Sequence, residues 1–134
     1  MRYVLDASSL LRFLDDEAGA ARMEDLLNQA RLGKAELLLS AVNWGEIVYV
    51  LARAHGSAQA QRMVASLRSL PLTIVGASAA HAEQAAWFKD QFRVPYADAF
   101  AGALAESEHV PLVTADYDFK TAAAEMKIEF LPAK

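Results

Sequence analysis

Four carboxylates mark where this chain could do chemistry: Asp6, Glu46, Asp98 and Asp116. Asp6 directly follows the apolar run Tyr3-Val4-Leu5, and Asp116 follows Leu112-Val113-Thr114-Ala115. In a parallel sheet, acids that end such runs emerge at the carboxyl ends of strands, the rim on which ligands of open α/β sheets sit. Glu46 is expected in the first turn of the helix after the second apolar run, and Asp98 opens a helix leading toward Leu112. Oxygen donors grouped in this way suit magnesium, a hard cation that takes carboxylate ligands and keeps several waters. One or two such ions set against a phosphodiester would lower the pKa of an attacking water and stabilise the leaving oxygen. That hydrolysis needs no Ser, Cys or His nucleophile.

Each acid also has a purely structural reading. Asp6, Asp98 and Asp116 stand near expected helix starts, where Asp caps free N–H groups and complements the helix dipole. Glu46 comes three residues after Asn43, in a capping-box-like arrangement. Capping accounts for each acid singly. It does not account for all four falling on one rim.

The elements that must position these residues follow from hydrophobic periodicity. Strands are expected at Arg2–Leu5, Glu36–Leu39, Leu72–Val75, Leu112–Thr114 and Ile128–Leu131. Helices fit Ser8–Leu14, Ala20–Arg31, Asn43–His55, Ser57–Leu70, Ser78–Phe92, Ala97–Glu108 and Tyr117–Met126. Gly33 and Gly56 stop two of them, and Pro71 prevents another from continuing. Strands alternating with helices imply βα units and right-handed crossovers. The expected fold class is α/β: a three-layer α/β/α sandwich with a mainly parallel central sheet of about five strands. No repeat or linker divides the chain, so residues 1–134 are read as one domain.

Composition narrows the function classes. A hydrophobic content of 54% suffices for one core without disulfides or a structural metal. The absence of cysteine removes thiol catalysis and zinc ribbons. The first apolar run meets an acid after three residues, too short for a signal peptide, so a soluble, cytoplasmic protein without membrane spans is expected. Taken alone, a net charge of −4 disfavours a nucleic-acid partner. Setting the four site acids aside leaves 13 acids against 13 bases, a balanced surface, so charge does not decide the partner. The six glycines form neither a dinucleotide fingerprint nor a phosphate-binding loop. Asp6-Ala-Ser8 lacks the second acid of an Asp-x-Asp phosphatase, and the paired acids of a response-regulator receiver are missing too.

The ordered set carries a resemblance. Asp6-x-Ser8, Glu46 within Asn-Trp-Gly-Glu-Ile, and Asp98 within Tyr-Ala-Asp-Ala-Phe-Ala-Gly-Ala-Leu-Ala resemble the first three motifs of PIN domains. Thr114-Ala-Asp116-Tyr-Asp118-Phe119 resembles the fourth. The likeness spans essentially the whole chain and, at this compact length, is greatest to VapC-type toxins of toxin–antitoxin pairs. It implies an endoribonuclease dependent on Mg2+ or Mn2+, usually homodimeric and neutralised by a small antitoxin. Motif matching would make Asp6, Glu46, Asp98 and Asp116 the acidic, metal-holding site. Ser8, Thr114 and Asp118 would support it by binding metal-linked water or orienting ligands. Two rivals stand beside this reading: a noncatalytic PIN-fold module that binds protein or RNA, and a receiver-like signalling domain with Asp6 as phosphoacceptor.

Other residues read more plainly. His55, His81 and His109 share no motif and are expected at the surface or in caps. Trp44 and Trp87 could stack on RNA bases, but their helical context favours core or dimer packing. Trp44, Val48 and Leu51 on one helix suggest surplus apolar surface for a homodimer. Arg12, Arg53, Arg62, Arg68 and Arg93 are scattered singly, and the sequence does not rank them as RNA contacts.

Overall fold

The computed structural model describes residues 1–134. Five strands, β1 (Arg2–Leu5), β2 (Glu36–Ser40), β3 (Thr73–Val75), β4 (Leu112–Thr114) and β5 (Ile128–Phe130), form one sheet in the order β3-β2-β1-β4-β5. Every pairing is parallel. Six α-helices make the crossovers: α1 (Ala7–Leu14), α2 (Ala20–Arg31), α3 (Ala41–His55), α4 (Ser57–Leu67), α5 (Ala79–Phe92) and α6 (Tyr96–Glu108).

Alternation along the strands divides the interior into two cores. Leu5, Leu37, Leu39 and Val113 face α1 to α4, packing with Leu10, Met23, Leu26, Ile47, Leu51 and Val64. Val4, Leu38 and Leu112 point the opposite way, onto α5 and α6, among Phe88, Phe92, Ala99 and Phe119. A sheet covered on both faces needs near-continuous apolar strands, and these strands supply them. The expected α/β/α sandwich is present.

Boundaries differ in three informative places. The last crossover is a short 3₁₀ segment, Tyr117–Ala122, and not a helix running to Met126. A 3₁₀ turn rises about 2.0 Å per residue against about 1.5 Å in an α-helix, so it carries a short connection further. It is fastened by Thr121, whose hydroxyl donates to the Phe92 carbonyl at 2.6 Å. Helix α3 starts two residues before Asn43, capped by Ser40, whose hydroxyl accepts from Val42 N–H. Helix α6 begins at Tyr96 after Pro95, so Asp98 is its third residue. Thus Asn43 does not cap α3, and Glu46 lies in its second turn rather than its first.

Candidate functional site

The strand order reverses direction between β1 and β4, the kind of switch point where open α/β sheets leave a crevice at their carboxyl ends. Asp6 and Asp116 leave the sheet on either side of that point. The register pairs Leu5 with Val113, which sets Asp6 beside Thr114.

Asp6 is 1% exposed and is heavily engaged. Its Oδ1 accepts from the Ser8 hydroxyl at 2.8 Å and from Ser9 N–H at 2.9 Å, the latter capping α1. Its Oδ2 accepts a short bond from the Thr114 hydroxyl. Each hydroxyl in turn takes an amide from the β4 end: Ala115 N–H donates to Ser8 Oγ and Asp116 N–H to Thr114 Oγ1, both at 2.9 Å. Ser8 and Thr114 therefore spend their protons bracing Asp6 to the loop that carries Asp116. Three of about four carboxylate lone-pair sites on Asp6 are used, which leaves one on Oδ2. A carboxylate so enclosed is poorly placed as a phosphoacceptor, and the receiver-like alternative loses its key residue.

The remaining acids sit around that brace. Asp116 Oδ1 accepts from Asp118 N–H at 2.9 Å and caps the 3₁₀ segment. Asp118 contributes this amide, while its side chain is exposed and has no hydrogen bond. Asp98 is half-buried, in the first turn of α6. Its carboxyl is pushed up to about 8, first by burial, then by a hydrogen bond to Asp116 and by the charges of Asp116, Asp6 and Glu46. The Asp6 carboxyl is also raised, chiefly by burial, with Asp116 adding to it. Acids from four connections are thus gathered closely enough for the charges of Asp116, Asp6 and Glu46 to oppose ionisation of Asp98. Capping describes Asp6 and Asp116, but neither Asp98 nor Glu46 caps a helix.

Whether this donor set fits a cation depends on its unpaired oxygens. Glu46 Oε1 is buried and has no hydrogen-bond partner. A buried carboxylate oxygen without a donor is costly, and a cation or its water shell is what removes the cost. No three of the acids are set around a common point at ligand distance, however. The set therefore fits a small hard ion that takes one or two carboxylates directly and completes its shell with water. Asp98 would need to give up its proton to serve.

Beside Asp116 runs an open groove lined by Ser8, Arg12, Tyr117, Ala133 and Lys134. Arg12 is held there by the carbonyls of Ala18 and Pro132, at 2.7 and 2.8 Å. The structure thus sets apart one arginine that its place in the sequence did not. The histidines stand away from this chemistry: His81 joins Ser78 in a capping box, and His55 and His109 are exposed at helix ends. Trp87, expected in a core or an interface, is 73% exposed, whereas Trp44 is partly buried against the first core.

Asn43 was missed as anything but a cap. It is fully buried, on a stripe with Ile47 and Leu51, and its Nδ2 donates to the Ala97 carbonyl beside Asp98. The sequence signal was available: one amide at four-residue spacing among apolar residues.

Comparison with known proteins agrees with this fold. No curated protein sequence matches the chain. Solved structures do match, at low identity. A VapBC2 structure from Rickettsia felis, bound to a DNA fragment from its promoter, aligns with a TM-score of 0.75 at 17% identity, covering 98% of this chain and 100% of that one. DNA-bound VapBC from Salmonella typhimurium aligns at 0.74 and 16% identity, covering 96% and 97%. VapC20 of Mycobacterium tuberculosis, described as a sarcin-ricin loop cleaving toxin, aligns at 0.63 and 21% identity, covering 97% and 99%. These likenesses are of fold. The PIN domain family model matches residues 3–125, nearly the whole chain, and the protein belongs to the PIN-domain family.

Proposed function

We propose that this chain is a metal-dependent endoribonuclease, the toxin of a type II toxin–antitoxin pair, which hydrolyses RNA phosphodiesters in the cytoplasm. The observation that carries the reading is the mutual crowding of Asp98 with Asp116, Asp6 and Glu46 at the strand-end rim. A noncatalytic PIN module would have no reason to keep four acids that oppose one another.

In this reading Glu46, Asp98, Asp116 and the free lone pair of Asp6 would hold Mg2+ or Mn2+, one or two of them directly and the others through its waters. When bound, the ion supplies a water of lowered pKa and offsets charge on the phosphodiester. The protein's own part is positioning. Ser8 and Thr114 hold Asp6 and the Asp116 loop in fixed relation, so the donors do not reorganise during the reaction. Asp98 would have to be ionised, its proton lost to solvent, to serve as a ligand. Arg12 and Lys134 line a groove in which an RNA backbone can lie beside Asp116. A small antitoxin is the proposed partner, since the Rickettsia and Salmonella neighbours are both VapBC structures, and a homodimer is the proposed assembly.

The test is cleavage of a mixed RNA substrate by chelator-stripped protein, before and after Mg2+ or Mn2+ is restored. Cleavage should appear only with metal, and Glu46→Gln should lower it by about a hundredfold or more, beyond the usual cost of losing an outer-shell partner. Undiminished cleavage by rigorously stripped protein would refute the mechanism.

A further inference from the structure

Two buried oxygens in this structure have no hydrogen-bond partner: Glu46 Oε1 and Asn43 Oδ1. They belong to residues three apart on α3, neighbours on one helix face. Asn43 is fully buried. Its amide orientation is determined by chemistry, because only the NH2 end can donate to the Ala97 carbonyl, 3.0 Å away. That bond joins the helix of Glu46 to the peptide immediately before Asp98. It also leaves Oδ1 as a lone acceptor beside the site.

Buried acceptors without donors are rare in native folds, and each requires a reason. An apolar side chain at position 43 would continue the Ile47 and Leu51 stripe without this cost. The amide earns nothing from packing alone. A magnesium-like cation held by few carboxylates keeps several waters, and every such water carries protons that need acceptors.

We propose that Asn43 is a positioning residue of the metal centre: Nδ2 fixes the first turn of α6 against α3, and Oδ1 accepts a hydrogen bond from a water in the cation's shell. This rests on the metal-dependent reading above and adds a residue outside its four acids. Outer-shell partners of this kind orient the ligands and tune affinity.

The experiment is calorimetric titration of chelator-stripped full-length protein with Mn2+, for wild type, Asn43→Leu, Asn43→Ala and Glu46→Gln, with melting curves of the stripped forms. Both Asn43 variants should bind Mn2+ about tenfold to a hundredfold more weakly. Asn43→Leu loses the bond to Ala97 together with the unpaired acceptor, two opposing effects, so without metal it should melt near the wild-type temperature. A purely structural amide, or one bridged to Glu46 by an ordinary buried water, predicts the reverse: a lower stripped melting temperature and Mn2+ affinity within twofold of wild type. That result overturns the proposal, as does failure of both variants to fold. If wild type and Glu46→Gln alike bind no Mn2+, the metal reading itself has failed, which is a distinguishable outcome.

Discussion

At the residue scale, Asp98 keeps its proton where a free carboxylic acid has long lost it. Its carboxyl is pushed up to about 8, whereas in the unfolded chain it ionises near its ordinary value of about 4. Between those values the folded chain binds one proton more than the unfolded chain, so this group's contribution to stability falls as pH rises. The contribution is complete below about pH 4, is lost through about pH 8, and stays lost above. The melting temperature of stripped protein should therefore fall between about pH 4 and about pH 8, and Asp98→Asn should lessen that slope, the raised Asp6 carboxyl keeping the rest. Equal slopes in the two proteins would show that Asp98 is not held protonated. Metal binding should run the other way, tightening with pH as the proton leaves more readily.

At the element scale, α6 is the helix whose placement matters most, since it carries Asp98 and is buried from Ala99 to Ala105. Its approach to α5 depends on Gly102. A methyl group there would meet Phe88 Cζ at 2.3 Å and Cε1 at 2.5 Å. Phe88 has little room to yield, because its ring lies 4.7 Å from Phe92 and 6.3 Å from Phe119. Alanine gains about 1 kcal/mol of helix propensity over glycine, but overpacking costs about 1–3 kcal/mol. Gly102→Ala should therefore destabilise the protein by up to about 2 kcal/mol in urea unfolding. It should also weaken metal binding, because relief of the clash moves α6 and Asp98 with it. A neutral or stabilising effect would mean that the two helices separate freely.

At the scale of the whole molecule, the parallel sheet with a core on each face leaves its apolar surplus on the helices. Trp87 is 73% exposed and Tyr49 is 64% exposed, the kind of aromatic side chains enriched in protein interfaces. Leu51, expected to contribute to such a surface, is instead in the first core. The assembly expected is a two-fold homodimer, the commonest closed form. Light scattering should give twice the 14.6 kDa chain mass, and Trp87→Glu should shift the population toward monomer. A monomer alone at roughly tens of micromolar, where stable interfaces of standard size are formed, would count against it. No helix is long and apolar enough to cross a membrane.

Much of this architecture was legible in the sequence because its signals are local. Short strand-like segments of three or four residues, glycine stops and amphipathic spacing located the five strands and most helices to within a few residues. An acid directly after an apolar run could be assigned to the strand-end rim, as with Asp6 and Asp116, since a parallel sheet offers no other exit. The motifs in order were sufficient for the family. What the tertiary structure decided was everything that depends on distant residues meeting. Ser8 and Thr114 close their brace across 106 positions, and nothing local distinguishes that from two surface hydroxyls. The start of α3 at Ala41, rather than at Asn43, depends on where β2 ends against its neighbours. Asp98 reads as an ordinary first-turn acid until burial and three other carboxylates raise its pKa. The same holds for Asn43, whose unpartnered oxygen exists only once α6 has packed against α3. Residue types and periodicity determine which groups reach the rim. Their protonation, bracing and unmet hydrogen bonds arise from packing, because desolvation and charge coupling are properties of the assembled site.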